Sequence, residues 1–414
     1  MTKIRPFRAV RPTRDKAHLV ASRAVSTYKP AILAAKLEEN PFTFIHIIHP
    51  EYFEDDDNTT APNTPERFNK VKHKFEEFKE QGVFVQDDEP LIYVYRQLKK
   101  DASFLGVIGG ANAQEYLDDK IKKHEATLTS REEMFTNYLD IVGFNAEPVL
   151  LSHKKSHKVD ELLNEIIKSR AEYEFTTTDL TKHELWVTTP EETKALQEAY
   201  EEIDAVYIAD GHHRSASSVR LMDLHREKGD YSPDKNYNSF LSFFIDEERL
   251  QILPFNRICK SLNGLSKDEF LSKCAEKFEI SSVDKKEVIK QLHDFHVYID
   301  QEWFLFSLKE EFRDFDNVVG AIDAEILTKN ILTPVLGIID LKIDDSISFV
   351  SGDKGKSAIE QAVDNDVYTV GFELFPVTME QLRAVADEHQ IMPPKSTWVE
   401  PKMRSGLTIY KIDE

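Results

Sequence analysis

Five consecutive residues, Asp210 to Arg214, carry side chains whose types and order suit chemistry on a phosphate group. Gly211 lets a ligand approach the backbone closely, and His212 and His213 offer ring nitrogens. Arg214 offers a planar guanidinium that can bind two phosphate oxygens at once. Asp210 is then available to hold a metal ion or a hydroxyl group. The alternative is that Asp210 only caps a helix, while the histidines make surface hydrogen bonds.

The sequence on either side places this segment between a strand and a helix. Residues 205–209 form an apolar run typical of a buried strand, and residues 214–229 have helical spacing of their apolar side chains and end on a glycine. The first turn of a helix has free backbone N–H groups and a partial positive charge, so it can bind an anion. The sequence therefore predicts a phosphate site at the start of a helix.

A second candidate lies in residues 124–127, His-Glu-Ala-Thr, ahead of a predicted helix. A well-placed glutamate such as Glu125 can act as the general base that takes the proton from a substrate hydroxyl group. Its neighbours His124 and Thr127 are then candidate substrate contacts. Taken alone, Glu125 is more typical of a solvated residue ahead of a helix. The chain contains no His-Glu-x-x-His motif, so a metalloprotease has no support.

A third candidate is the proline-rich segment at residues 392–402. Lys395 and Lys402 are able to contact phosphate oxygens, and Ser396 or Thr397 a phosphate or a metal ion. The spacing is not that of a Walker A loop, because no Gly-x-x-x-x-Gly precedes the lysine. A packing role for this stiff loop is the alternative.

The overall composition narrows the class of partner. The chain has 414 residues, of which 53 are Lys or Arg and 74 are Asp or Glu, so its net charge is −21. Repulsion from a polyphosphate backbone therefore disfavours nucleic acid as a partner. The two cysteines form no Cys-x-x-Cys pair, and no apolar run approaches the roughly 20 residues of a membrane span. We expect a cytoplasmic protein that contacts neither nucleic acid nor membrane.

Helical and strand patterns alternate along the chain, which predicts an α/β (α+β mixed) fold. Residues 66–82 place apolar side chains at intervals of three and four, the pattern of a helix that ends at a glycine. Residues 41–50 form a short apolar run closed by prolines, typical of a buried strand. The strand patterns at 238–246 and 250–255 predict a hairpin, and a helix is expected at 285–295.

This alternation suggests three regions. Residues 1–105 are predicted to form an N-terminal α/β region, and residues 106–257 a central core that contains the first two candidate segments. Residues 258–414 are predicted to form a C-terminal α/β region that ends in the proline-rich loop.

Several short motifs, taken in order, resemble the bacterial and archaeal family catalogued as domain of unknown function 1015. The motifs lie at residues 4–9, 39–41, 93–97, 124–127, 210–214, 336–338 and 392–397. The resemblance covers essentially the whole chain. Within the family, the central region resembles the ParB and sulfiredoxin fold, and particularly the free-serine kinases built on that fold.

The resemblance to the free-serine kinases implies roles for particular residues. It implies that Glu125 is the catalytic base and that residues 210–214 hold the phosphates of ADP or ATP. It also implies a small amino-acid acceptor, with free L-serine as the first candidate. Because no cysteine lies between Asp210 and Arg214, sulfinic-acid reduction of the sulfiredoxin kind is excluded.

Our first hypothesis is a phosphotransferase that moves a phosphoryl group between ADP or ATP and a small hydroxyl metabolite, with Glu125 and Asp210 as catalytic residues. Phosphoryl transfer demands positioning and charge neutralisation, which the Asp210 loop and a bound Mg²⁺ would supply. A second hypothesis is the reverse reaction on phosphoserine, or a phosphatase. A third, from another class, is a nucleotide-binding regulatory protein in which Glu125 has no catalytic part.

Overall fold

The computed structural model describes residues 2–52 and 59–414, and contacts within it divide the chain into two compact units. The first unit comprises the described residues up to Leu250 together with Pro401–Glu414, and the second comprises Gln251–Glu400. Helices and strands alternate in both units, so the predicted α/β (α+β mixed) class is confirmed. None of the helices in the described ranges is long and apolar enough to cross a membrane.

The α-helices follow one another in chain order. They are α1 (Ala17–Val20), α2 (Pro30–Glu39), α3 (Ile45–Ile48), α4 (Pro65–Glu80), α5 (Ala113–Leu117), α6 (Thr129–Val142), α7 (His157–Ile166), α8 (Pro190–Tyr200), α9 (His212–Glu227), α10 (Lys267–Cys274), α11 (Asp323–Leu327), α12 (Gly355–Asp364) and α13 (Met379–Asp387).

The β-strands are numbered in the same way. They are β1 (Ile4–Arg5), β2 (Val10–Pro12), β3 (Phe84–Gln86), β4 (Tyr93–Lys99), β5 (Ala102–Asn112), β6 (Ile121–Lys122), β7 (Phe144–Asn145), β8 (Val149–His153), β9 (Tyr173–Thr176), β10 (Lys182–Val187), β11 (Val206–Asp210), β12 (Ser239–Asp246), β13 (Gln251–Cys259), β14 (Phe278–Ser282), β15 (Asp294–Ile299), β16 (Glu302–Leu308), β17 (Ile347–Ser351), β18 (Val370–Leu374), β19 (Thr397–Glu400) and β20 (Tyr410–Lys411).

The main sheet of the first unit has the strand order β6-β11-β8-β12-β5-β4-β10-β9, and β1 pairs with β5. β12 is buried along its whole length, which suits a strand with neighbours on both sides. Towards one edge, β11 pairs antiparallel with β8 and parallel with β6. The candidate phosphate loop therefore leaves the sheet close to this edge.

The helix predicted over residues 66–82 is confirmed as α4. It begins at Pro65, with Thr64 as its N-cap, and it buries the predicted apolar face. The core beside it is a cluster of apolar side chains that α4 shares with several other elements of the first unit. Its buried members are Val10, Val20, Phe44, Ile47, Phe68, Val71, Phe75, Phe78, Val83, Phe84, Val142, Phe144 and Ile409.

Two local predictions are wrong. Residues 41–50 were expected to form a strand, but they contain α3 and reach a 3₁₀ turn that begins at Pro50. A short apolar run fits a buried turn of helix as well as a buried strand, and this one packs into the cluster beside α4. The helix expected at residues 285–295 is absent from that described stretch, which forms turns and then enters β15 at Asp294.

The predicted hairpin between residues 238–246 and 250–255 is also wrong. Both strands exist, as β12 and β13, but β12 pairs with β5 and β8. β13 instead pairs with β17, β18 and β19 within the second unit. An apolar alternation identifies a strand without specifying which strand it will pair with.

The two units also differ from the three predicted regions. The predicted boundary after residue 105 falls inside β5, and the one after residue 257 falls inside β13. β5 pairs with both β4 and β12, so residues on either side of the first boundary share one sheet. Pairing between strands far apart in sequence sets these units, and no local pattern reveals it.

Candidate active site

The loop between β11 and α9 has the geometry that the sequence predicts. Gly211 has a φ of +107°, in the left-handed region that favours glycine, and α9 begins at the next residue. A side chain at position 211 would also lie 3.1 Å from Nε of Arg214. The helix ladder starts with the bond from Ser215 N to Gly211 O, at 3.0 Å. The N–H groups of the preceding three residues lie outside that ladder and point along the helix axis at the loop.

Asp210 ends β11 and lies between two cationic side chains. Arg214 Nη2 donates to its Oδ2 at 2.7 Å, and Lys402 Nζ donates to its Oδ1 at 3.1 Å. Burial alone would raise the pKa of Asp210, but the charges and hydrogen bonds of Lys402 and Arg214 hold it below its ordinary value. The carboxylate is therefore ionised at neutral pH.

The predicted metal role of Asp210 fits this arrangement poorly. Both of its oxygens accept from cations, so a Mg²⁺ ion would have to compete with Lys402 and Arg214 for them. A pair of cations repels a further positive ion. The residues around Asp210 therefore do not fit Mg²⁺.

The guanidinium of Arg214 makes several contacts within the protein. Its Nη1 donates to the carbonyl oxygen of Pro148 at 2.7 Å and lies 2.8 Å from Glu147 Oε1. Ser405 Oγ donates to the other oxygen of Glu147 at 3.2 Å. Arg214 thus fastens the start of α9 to the segment ahead of β8, and its predicted contact with phosphate stays a prediction.

Sequence reasoning left Glu147 without a role, and it considered Lys402 only as a phosphate contact. No local motif marks Glu147, which simply precedes Pro148 and β8. Lys402 stands in the proline-rich segment, where a phosphate contact was considered, but its position beside Asp210 follows only from the fold. Gln97 Nε2 on β4 donates to the backbone oxygen of Lys402 at 3.2 Å, which fixes this segment against the sheet.

Parallel pairing of two strands brings the second candidate segment to the first. Ile121 of β6 lies opposite Val206 of β11, so the two strands leave the sheet at the same end. His124 follows β6 and His212 follows β11, and their rings meet at right angles with centroids 4.5 Å apart. His212 Nδ1 is 3.4 Å from Glu125 Oε2. The structure therefore brings Glu125 beside residues 210–214, as the first hypothesis requires.

The electrostatics of these histidines follow from burial. The ring of His124 is fully buried, which lowers its pKa to about 4. Burial, then the neighbouring His124, lowers the pKa of His212 well below its ordinary value. Burial and the charge of Arg131 lower that of His213. All three rings are therefore neutral at pH 7. The side chain of Glu125, in contrast to the buried rings of His124 and His212, is 46% exposed.

Thr127 was predicted to contact substrate, and in the structure its hydroxyl donates to Glu132 Oε1 in the first turn of α6. Among the described residues, Nδ1 of the half-buried His213 has no hydrogen-bond partner. Neither Thr127 nor His213 thus has a contact that fixes a role in binding. Their predicted binding roles stay predictions.

Lys395, Ser396 and Thr397 belong to the second unit. Lys395 Nζ lies 5.4 Å from the centroid of the Phe255 ring, and Ser396 Oγ donates to the carbonyl oxygen of Pro393 at 2.7 Å. Thr397 begins β19. These contacts support the packing alternative, and the predicted phosphate role of the three residues stays a prediction.

A cavity of about 470 Å³ lies beside the first turns of α9, within the first unit. Arg214 and Ser217 of α9 form part of its wall. Most of the remaining wall is apolar, with Phe68, Phe135 and Phe144 among the lining residues. This volume is in the range of sites for small organic molecules, roughly 300–1,000 Å³.

The family described as "Protein of unknown function (DUF1015)" matches residues 4–325. The chain belongs to this family. The match confirms the resemblance drawn from the short motifs. No curated protein matches the chain.

Among solved structures, the chain is similar to a free serine kinase in complex with AMP, at 12% identity and a TM-score of 0.36, over 73% of this chain and 91% of that one. It is also similar to SbnI with a C-terminal truncation from Staphylococcus aureus, at 10% identity and a TM-score of 0.39, over 73% and 87% of the two chains. A conserved hypothetical protein from Pyrococcus furiosus matches at 15% identity and a TM-score of 0.33, over 75% and 97%. Likeness at this level does not establish a shared substrate.

Proposed function

We propose that this protein is a phosphotransferase that moves a phosphoryl group between a nucleotide, ADP or ATP, and a small hydroxyl-bearing metabolite, with free L-serine as the first candidate. One observation carries the proposal. His212 at the start of α9 lies beside the exposed carboxylate of Glu125, and Lys402 pairs with Asp210 directly ahead of the same helix. A phosphate site and a candidate base are thus adjacent.

The phosphate would bind at the first turn of α9. The N–H groups of His212 and His213 lie outside the helix ladder, and the helix dipole adds a partial positive charge there. Lys402 and Arg214 balance the charges of Asp210 and Glu147, so the attraction for an anion would come from these N–H groups and the helix dipole. Stabilisation of transferring oxygens by fixed donors of this kind is the main contribution of proteins to phosphoryl transfer.

Glu125 would take the proton of the acceptor hydroxyl group. Its Oε2 faces His212 Nδ1 at 3.4 Å, which orients the carboxylate towards the phosphate loop. A hydroxyl held between Glu125 and the first turn of α9 would lie within reach of both groups, as general-base catalysis requires.

The apolar cavity beside α9 would accept the base of the nucleotide. A flat ring packs well against Phe135 and Phe144, and the cavity borders Arg214 at the start of the same helix. The phosphates would then extend from the cavity to the loop. Mg²⁺ would accompany the nucleotide through its phosphate oxygens, which need no protein carboxylate for this.

Turnover of nucleotide labelled in its terminal phosphate tests the proposal. The protein would be incubated with labelled ADP or ATP, Mg²⁺ and a panel of hydroxyl-bearing metabolites that includes L-serine. The expected result is label in a phosphomonoester of one acceptor and formation of AMP or ADP in equal amount. Nucleotide binding without transfer to any acceptor, and without the reverse reaction from phosphoserine, would contradict it and favour a regulatory nucleotide-binding protein.

A further inference from the structure

His124 is a buried residue of the first unit whose ring nitrogens make no hydrogen bond with the described residues. Both ring nitrogens are themselves buried. A buried polar group without a partner costs roughly 1–3 kcal/mol, so such groups are rare in native proteins. The proposed function does not use them, because Glu125 and the loop are sufficient for that reaction.

His124 belongs to a set of three side chains that resembles a ligand set. One ligand atom each from His124, Glu125 and His212 lie within 4.8 Å of one another. Both histidines are at least nine-tenths buried, while Glu125 reaches solvent. Two imidazoles and one carboxylate are a ligand set found in catalytic zinc sites and in other first-row metal sites with open positions.

We propose that His124, Glu125 and His212 bind a divalent transition-metal ion of the zinc class. Nitrogen ligands favour Zn²⁺ or Co²⁺ over Mg²⁺, which prefers oxygen ligands in an octahedral shell. Imidazole binds a metal through a ring nitrogen that carries no hydrogen, and in the described part of the chain neither ring nitrogen of His124 is engaged by a hydrogen-bond partner. Three protein ligands leave a position open to water or to an oxygen of a bound phosphate.

Binding requires a small rearrangement. Ligand atoms at about 2.1 Å from one tetrahedral ion are about 3.4 Å apart. His212 Nδ1 and Glu125 Oε2 already have this separation, at 3.4 Å, and the whole set lies within 4.8 Å, so His124 must approach by at most about 1.4 Å. His212 Nε2 accepts a long hydrogen bond of 3.4 Å from the backbone N–H of His124. With Nδ1 as the ligand atom, the ring hydrogen moves to Nε2 and this weak bond is lost.

The site does not depend on the proposed phosphoryl transfer, although the two share His212 and Glu125. His212 is the first residue of α9, so an ion held there would add positive charge beside the phosphate loop. If Glu125 is a ligand, its replacement removes metal binding as well as turnover. If it is only a base, its replacement removes turnover alone.

Metal titration of the full-length, tag-free protein in the absence of nucleotide tests the site. The protein would first be treated with a chelator, then titrated with Zn²⁺ by calorimetry and with Co²⁺ by visible absorption, which reports tetrahedral coordination. We expect one ion per chain, and at least about a 100-fold loss of affinity in His124→Asn. Glu125→Gln, a change at an exposed side chain that spares folding, should weaken binding in the same direction.

His213→Asn is the matched control, because His213 lies on the same loop outside the ligand set and should leave metal affinity unchanged. Saturable binding that both ligand variants lose and the control keeps would support the site, whether or not any nucleotide is turned over. Equal affinity in the wild type, Glu125→Gln and His213→Asn, or no saturable binding in the wild type, would overturn it. Loss of turnover in Glu125→Gln with metal affinity intact would assign Glu125 to the base role and likewise overturn the metal site.

Discussion

Each unit contains an aspartate whose pKa departs from its ordinary value, and the two departures are in opposite directions. Asp210 in the first unit is bound by Lys402 and Arg214, which lower its pKa against the effect of burial. Asp323 in the second unit is 3% exposed, and burial raises its pKa to about 8. Its Oδ1 accepts from the backbone N–H of His293 at 3.0 Å, while its Oδ2 has no hydrogen-bond partner among the described residues. Paired cations can thus offset the effect of burial on the charge of a carboxylate.

The difference separates a candidate functional carboxylate from a structural one. A charged Asp210 holds Lys402 and Arg214 at the start of α9, where we propose that a phosphate binds. Among the described residues no cation pairs with Asp323, and the nearby Asp294 adds repulsion that also raises its pKa. We therefore expect substitutions around Asp210 to change binding and turnover, and substitution of Asp323 to change stability and its pH dependence.

The largest expected effect is on turnover in Glu125→Gln. Glutamine keeps the shape of the side chain and removes its basicity, so the rate of phosphoryl transfer should fall roughly 10²–10⁴-fold. Nucleotide affinity should change little, because the first turn of α9 and Lys402 remain. Steady-state rates and a nucleotide titration measure the two effects. Asp323→Asn serves as the control and should keep the wild-type rate; a wild-type rate in Glu125→Gln would exclude Glu125 as the base.

Arg214→Ala should have the next largest effect, on both affinity and folding. The guanidinium pairs with both Asp210 and Glu147, and its loss removes the cation that the two carboxylates share. The free energy of unfolding should fall by about 1.5–3 kcal/mol, and nucleotide affinity should weaken roughly 10- to 100-fold. Denaturant unfolding and calorimetry measure these changes. Unchanged affinity in a folded variant would show that Arg214 acts only through structure.

A smaller effect is expected in Asp323→Asn, and it should depend on pH. The folded pKa of about 8 exceeds the unfolded value of 3.8, so the folded state binds more protons between these values. Through Asp323 the wild type therefore loses stability as the pH rises from about 4 to 8, and the asparagine variant lacks this contribution. The melting temperature of the variant should exceed that of the wild type by about 3 °C or more at pH 8.5, with the gap closing near pH 4. A gap that is constant with pH would contradict the assignment.

The sequence predicted elements well where a periodic pattern was long. The 66–82 pattern extends over four turns, and α4 buries the expected face. The ten residues at 41–50 are too few to distinguish a strand from a turn of helix, and packing beside α4 decided for the helix. The start of α9 was predictable because an apolar strand, a glycine and a helical pattern follow one another directly.

The composition of the candidate site was only partly predictable. His124 and His212 were each identified, but their contact depends on parallel pairing of β6 with β11, which local patterns do not specify. Glu147 has no motif of its own and gains significance only from its pair with Arg214. The neighbours of Asp210 therefore had to come from the fold, although the loop itself was recognisable from residue types.

The most direct test of the central claim is a calorimetric titration of ADP into the wild type and into Lys402→Met. The claim is that the start of α9, together with Lys402, binds the phosphates of a nucleotide. Lys411→Met is the matched control, since Lys411 lies in the same C-terminal segment and pairs with Asp413 and Glu414 instead. We predict saturable binding of one ADP per chain in the wild type and the control, and affinity weakened roughly tenfold or more in Lys402→Met. No saturable binding in the wild type, or equal affinity in all three proteins, would contradict the claim.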